Sequence, residues 1–448
     1  MPELTFEGVA EFIDRTRDVG GRSGPGLAEV LGDLDGLGLA PGDAVLLAMT
    51  NGVDLVRVHL ATLLLGLVPL AVSPGTPWER VQALAGHVGA RVAVTTRLVG
   101  SGGGRPVGGA TALPTGAAGI RYEPGEVLLS TSGTSGMFSA CVHRVPSLLR
   151  NAVRHAGATG LTSSDAVLAN LPLYYSYAMV AQVLAAYCAG ARLVISGPPF
   201  SPAGYRDAVS KHGVTHSALT PTVVRQLLAD GAGLPPVRAL AVGGDRLAPA
   251  EVASLLAARP HGELYLTYGL TEAGPRVSTL AAHAEPTHRH DSVGLPLPGV
   301  QVSLRDVRDG VGELLVTSDT ALIRRVGPRA ARGLVAPGVI ATGDAFSVVD
   351  GYLRFKGRLS DFVVLKGEKV SLATVRQAAF AIPGVVSCTP SVIQGDDGTP
   401  VLDVHLGMTD PAPGAERTAL RTLNSLLLPA ERPRSVHVRP ADPSALRK

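Results

Sequence analysis

Apolar positions in this chain first come as short unbroken runs separated by stretches of helical spacing. Ala44-Val45-Leu46-Leu47-Ala48 follows a Pro41-Gly42-Asp43 turn and is apolar throughout, as expected of a strand buried on both faces. Residues 55–65 carry dense apolar positions that suit a helix, and Pro69-Leu70-Ala71-Val72 reads as the next strand. Residues 78–85 give another helix and Val92-Ala93-Val94 another strand. This rhythm predicts a parallel α/β sheet. Residues 99–119, rich in Gly, Pro and Thr, read as a surface linker.

The rhythm resumes after the short apolar run Val127-Leu128-Leu129. Helices are expected over 145–155, 180–188 and 202–212. Strands are expected over 166–170, 192–195, 239–242 and 263–267, with a strand-to-helix turn at 217–222. From Gly299 the period shortens. Residues 300–304, 312–316 and 351–355 look like antiparallel strands of a small β subdomain. Beyond Asp361 the pattern becomes strand, helix (372–380), strand, helix (415–427), strand: a compact α+β unit. The expected division is a large domain over 1–357 and a small one over 358–448, with a hinge near Ser360 and Asp361.

Composition narrows the function. The 448 residues are 46% hydrophobic but only 4% aromatic, so the core must be mostly aliphatic. Forty basic against 37 acidic residues leave a net charge of +3, no footprint for nucleic acid. Arginine does nearly all the cationic work; the lysines are Lys211, Lys356, Lys366, Lys369 and Lys448. Cys141, Cys188 and Cys388 have no paired or metal-like spacing and read as reduced thiols. No signal peptide opens the chain, and the longest apolar run, around 60–72, contains Pro69 and is too short to span a bilayer. A cytoplasmic protein is expected.

Ser130-Thr131-Ser132-Gly133-Thr134-Ser135-Gly136 leaves the run at 127–129 and contains only hydroxyl residues and glycines. Exposed N–H groups and hydroxyls on such a loop cradle anions. Gly243-Gly244-Asp245 and Tyr268-Gly269-Leu270-Thr271-Glu272 likewise follow expected strands. Ligand sites of open α/β sheets lie beyond the carboxyl ends of strands.

These segments, with Thr342-Gly343-Asp344, Gly357-Arg358 and Lys366-Gly367-Glu368-Lys369, occur in an order that resembles the adenylate-forming superfamily of acyl-CoA synthetases, nonribosomal-peptide adenylation domains and luciferases. The resemblance covers nearly the whole chain. It implies an α/β fold: a large N-terminal domain of two α/β sheet subdomains plus a small β subdomain, then a small mobile α+β domain. It also implies ATP and Mg²⁺ as cofactors. Thr131, Ser132, Gly133, Thr134, Ser135 and Gly136 would then hold phosphates, with Gly243, Gly244, Asp245, Tyr268 and Gly269 around the adenine. Asp344 would bind the ribose, Thr271 the α-phosphate, and Arg358 the ribose or phosphate. Glu272 would be the Mg²⁺ ligand, and Lys448 the adenylation lysine. The chain departs from the family at Ser139, where the loop lysine is expected. At the tail, one alignment offers Lys448 and a gapless one offers Leu446.

By the same resemblance Tyr175, Ala178, Gly243, Gly244 and Gly269 line the acid pocket. None of them resembles the acidic residue that holds an α-amine, which favours an uncharged acyl or aryl acid over an amino acid. The expected reaction is ATP-dependent formation of an acyl-AMP, then transfer to the thiol of CoA or of a phosphopantetheine arm on a carrier protein supplied in trans. Two alternatives stay open: the same activation with a nitrogen acceptor or an oxyacid such as nitrite, and a nucleotide-binding scaffold without turnover.

Overall fold

The computed structural model describes residues 2–21, 24–97, 103–130, 139–197, 200–327, 333–365, 368–394 and 400–441, except for the side chains of Ser360, Phe362, Val364, Glu368 and Lys369. Among them are two eight-stranded sheets, a five-stranded antiparallel sheet, a two-stranded hairpin and a three-stranded sheet. The architecture is the expected one: two α/β sheets and a β subdomain, followed by a small α+β unit.

Strand Ala44–Ala48 shows how the sequence builds the first layers. Val45 and Leu47 point into a core cluster that joins both large sheets, while Ala44, Leu46 and Ala48 pack on the other face with helix Trp78–Val88. A central parallel strand has no wet face, hence the unbroken run. Helices Val53–Leu64 and Val145–Ala158, with residues 176–189, fill the space between the sheets.

One reading needs correction, and two strands were not anticipated. The stretch 99–119 is not a plain linker, since strands Arg105–Val107 and Ala110–Pro114 form a hairpin that extends the sheet. Gly108 and Gly109 turn it with φ of 53° and 78°, the pair of positive values that a tight hairpin turn demands. The β subdomain has an unanticipated central strand, Val339–Val349. Thr342-Gly343-Asp344 lies inside this strand, at a register shift against Val311–Ser318. Finally, strand Arg324–Val326 joins the edge of the second large sheet, antiparallel to Ala140–Arg144.

Arg324 anchors that last strand. Its guanidinium meets the Glu126 carboxylate in two bonds of 2.6 and 2.7 Å. Glu126 is 1% exposed, whereas the Arg324 side chain is 42% exposed. Burial alone would raise the Glu126 pKa, but the Arg324 hydrogen bonds hold it below the usual value. The two ends of the pair should therefore respond unequally. Arg324→Ala strands a buried carboxylate and should cost about 2–4 kcal/mol, the buried-pair range reduced for Arg324's partial exposure. Glu126→Gln leaves a guanidinium that water can reach, and should cost roughly half as much. Urea denaturation of both variants checks this; equal losses would contradict it.

Candidate active site

The parallel strands Ala239–Gly243 and Glu263–Tyr268 end side by side, with Gly243 opposite Thr267. Gly243 has no room for a side chain: a Cβ there would stand 2.4 Å from Thr267 Oγ1. At Gly269 a Cβ would stand 1.8 Å from the Pro275 carbonyl oxygen. These two glycines are thus required by backbone packing, whatever they do for a ligand. Gly244 takes a positive φ of 90°, and Asp245 beyond it is exposed, accepting a bond from Arg246 N at 2.7 Å. A recess lined by Asp245, Arg246, Thr267, Val293 and Phe355 adjoins them.

Tyr268 joins two motifs distant in sequence. Its hydroxyl donates to Asp344 Oδ2 at 2.7 Å across 76 residues, and its ring packs edge-on against Phe346 at 4.8 Å. Arg358 stands opposite Asp344 on the neighbouring strand, with Nε 3.8 Å from Oδ1 and its side chain 57% exposed. Burial pushes the Asp344 pKa from 3.8 to about 6, against the opposing pull of Tyr268 and Arg358. Burial, then the Asp344 charge, raises Tyr268 well above its usual range.

Thr271 and Glu272 sit in the 3-10 turn Thr271–Ala273. The Thr271 hydroxyl is hydrogen-bonded to Ser176 Oγ at 2.8 Å. Glu272 is ion-paired with Arg325, a residue not singled out from sequence. Arg325 is mostly buried, with 10% of its side chain exposed, and its Nη1 lies 3.5 Å from Ser139 Oγ. A guanidinium thus stands beside the position where the resemblance leads one to expect the loop lysine. Glu272 and Thr271 offer hard oxygen donors that suit Mg²⁺, an ion that keeps several waters and takes its other ligands from phosphates. Elsewhere Asp403, His405 and His437 converge within 4.8 Å on the three-stranded sheet, which carries none of these motifs.

Of the residues expected to line the acid pocket, Tyr175 is half-buried and packed on Tyr174 at 4.6 Å, and Ala178 is fully buried in the core. Two further residues lie here that the sequence reading passed over, Tyr177 and Arg276. The Arg276 guanidinium covers the Tyr177 ring at 4.1 Å and donates to Thr267 Oγ1 at 2.9 Å. Ser360 and Asp361 occupy the 3-10 turn Leu359–Asp361, with Asp361 bonded to Arg376 at 2.6 Å. Thr131, Ser132, Gly133, Thr134, Ser135, Gly136, Lys366 and Lys448 lie outside the described residues.

A family model described as "AMP-binding enzyme" matches residues 126–322. The chain is 28% identical over 405 residues to a salicylyl-CoA synthase / salicylate adenylyltransferase of Streptomyces sp, covering 78% of this chain and 72% of that one. It is 30% identical over 282 residues to a long-chain-fatty-acid–CoA ligase of Thermus thermophilus, covering 57% of this chain and about half (51%) of that one. Among solved structures, an anthranilate CoA ligase in complex with anthranoyl-AMP superposes with a TM-score of 0.79 at 18% identity, covering 98% and 94% of the two chains. An amide bond synthetase from Marinactinospora thermotolerans superposes with a TM-score of 0.75 at 20% identity, covering 98% of each. Among the described residues no helix is long and apolar enough to cross a membrane.

The Asp344 environment has a measurable consequence. Its folded pKa is raised, so the folded state binds the proton more tightly than the unfolded chain, and stability falls as pH rises through this window. Unfolding free energy should decline between pH 3.8 and about 6 relative to Asp344→Asn. Tyr268→Phe removes a bond that favours the charged form and should push the carboxyl higher still. Carboxyl-carbon NMR titration of both proteins reads this directly; an Asp344 that titrates normally would refute it.

Proposed function

Because the chain belongs to the adenylate-forming superfamily of AMP-forming acid ligases, we propose that it activates a carboxylic acid as acyl-AMP and passes the acyl group to a thiol. A carboxylate oxygen attacks the α-phosphorus of ATP, the bond to the β-phosphate breaks, and pyrophosphate leaves. A thiolate of CoA or of a carrier-borne phosphopantetheine then attacks the acyl carbon, and AMP leaves. The observation that carries this reading is the Tyr268–Asp344 bond at 2.7 Å. It sets an aromatic face and a carboxylate together beyond a strand end, the pairing that a nucleoside needs. Asp344 accepts the ribose hydroxyls with Arg358 beside it, Thr271 takes the α-phosphate, and Glu272 would hold Mg²⁺. The ion, when bound, neutralises charge on the phosphates. A nitrogen acceptor in place of the thiol fits the same first step.

In this reading the large domain spans 1–357 and the small one 358–448. The small domain rotates about Ser360 and Asp361, and Lys448 reaches the α-phosphate. The two half-reactions should then separate. Lys448→Ala should abolish acid-dependent pyrophosphate exchange by orders of magnitude, yet spare transfer from preformed acyl-AMP. Asp361→Pro, which fixes φ at the hinge, should spare exchange and slow transfer. A broad acid panel in the exchange assay is the first test. Wild-type protein that exchanges with no acid and shows no ATP binding by calorimetry would favour the scaffold reading.

Arg325 gives the β- and γ-phosphates a cation in the absence of a lysine at residue 139. Removing one charge-assisted bond of this kind costs about 1.5–3 kcal/mol, or roughly 10–100-fold in affinity. Calorimetry should therefore find Arg325→Ala weakened for ATP but not for AMP, which lacks those phosphates. Ser139→Lys should restore ATP binding in that variant, and bring little to the wild type, where two buried cations would face each other. Equal losses for ATP and AMP would assign Arg325 to structure alone.

A further inference from the structure

Arg276 is 3% exposed, and among the described residues no carboxylate pairs with it. Its guanidinium has two partners, both neutral: the Tyr177 ring and the Thr267 hydroxyl. Its Nε is buried without a hydrogen bond. The Tyr177 hydroxyl beside it is buried too, near Thr267. Burial lowers the Arg276 pKa, but a guanidinium stays charged in proteins. A buried charge without a counter-ion costs several kcal/mol, more than a desolvated cation–π contact of about 2 kcal/mol returns.

The backbone gives the side chain no escape. Asn151, fully buried, donates to the Arg276 carbonyl at 2.9 Å and accepts from its N–H at 2.9 Å. The guanidinium is thereby held against Thr267 at the strand end, with Nη2 3.0 Å from where a Cβ on Gly269 would stand. Ser176 and Tyr177 link this cation to the reaction centre: Ser176 bonds Thr271, and the next residue carries the ring beneath Arg276. The cation therefore covers a ring that lies in the chain between Tyr175 and Ala178, the residues expected to line the acid pocket, and next to the residue that bonds Thr271.

We propose that Arg276 is the specificity-determining residue of the acid pocket, and that the substrate is a dicarboxylic acid whose second carboxylate pairs with it. This rests on the adenylation reading above and narrows the class of acid. The carboxylate that reacts cannot be the permanent partner, because it loses its charge when the mixed anhydride forms. A second carboxylate keeps its charge through both half-reactions and leaves no stage at which a bound complex holds the guanidinium unpaired. The same cation repels an α-ammonium group, which agrees with the lack of an acidic residue to hold one.

The test compares acids of equal shape and unequal charge. Pyrophosphate exchange is measured with aliphatic and aromatic dicarboxylic acids, each beside its monoamide, on wild type and Arg276→Gln. Truncating one side of a buried charged pair costs 2 kcal/mol or more, so the wild type should favour a diacid over its monoamide by about 30-fold or more in kcat/KM. Arg276→Gln should reduce that preference to within a few fold, mainly through the KM for the acid, while ATP binding by calorimetry stays unchanged. The wild-type comparison needs no variant, so a poorly folded Arg276→Gln leaves the proposal falsifiable. Exchange that is best with monoacids or monoamides overturns this proposal and leaves adenylation standing. No exchange with any acid, together with no ATP binding, overturns both.

Discussion

A carboxylate removed from water must be met by a cation that can reach it, and strand Arg324–Val326 answers that demand twice. Neighbouring residues on a strand point to opposite sides, so Arg324 and Arg325 serve different acids. Arg324 closes on Glu126 at the base of the strand that feeds the hydroxyl-rich loop. Arg325 closes on Glu272 and passes beside Ser139, where the chain leaves that loop. The Leu322 N–H donates to the Glu272 carbonyl at 2.8 Å, and Thr320 Oγ1 to the Ala273 carbonyl at 2.9 Å. The turn with Thr271 and Glu272 is therefore stitched to the segment that leads into this strand. The two ion pairs add to these bonds and tie the strand before the hydroxyl-rich loop and the Glu272 turn to the same edge strand.

A second contact joins two sheets. Tyr268 ends a parallel strand of one sheet and Asp344 bulges from an antiparallel strand of another. Their hydrogen bond holds the β subdomain against the α/β sheet. It also gives the carboxylate a neutral donor, so the pair keeps its cohesion without consuming the charge that a ribose would use.

The alternation of buried strand and helix was legible because parallel strands have no solvent face, so their runs of apolar residues stand out. The motifs beyond strand ends were legible because glycines and hydroxyl residues cluster directly after apolar runs. Strand Val339–Val349 was not legible: Gly343, with φ of 73°, breaks its pattern, and only the partner strand reveals a bulge. Gly108 and Gly109 carried a hairpin signal that was lost in a Gly-rich stretch. Arg276 and Arg325 could not have been chosen from sequence. In a chain that writes almost every cation as arginine, residue type has no contrast, and what sets these two apart is burial and the identity of their neighbours.

The clamp of Asn151 on Arg276 has an evolutionary consequence. Both bonds go to the main chain, so the backbone at residue 276 is fixed regardless of which side chain it bears. Position 276 is in effect a socket, where one codon change can exchange the charge and size presented to the acid without disturbing the loop that presents it. Under the proposed function, descendants of this chain could thus trade one class of acid for another at this position and leave Thr271 and Glu272, a few residues upstream on the same loop, unchanged.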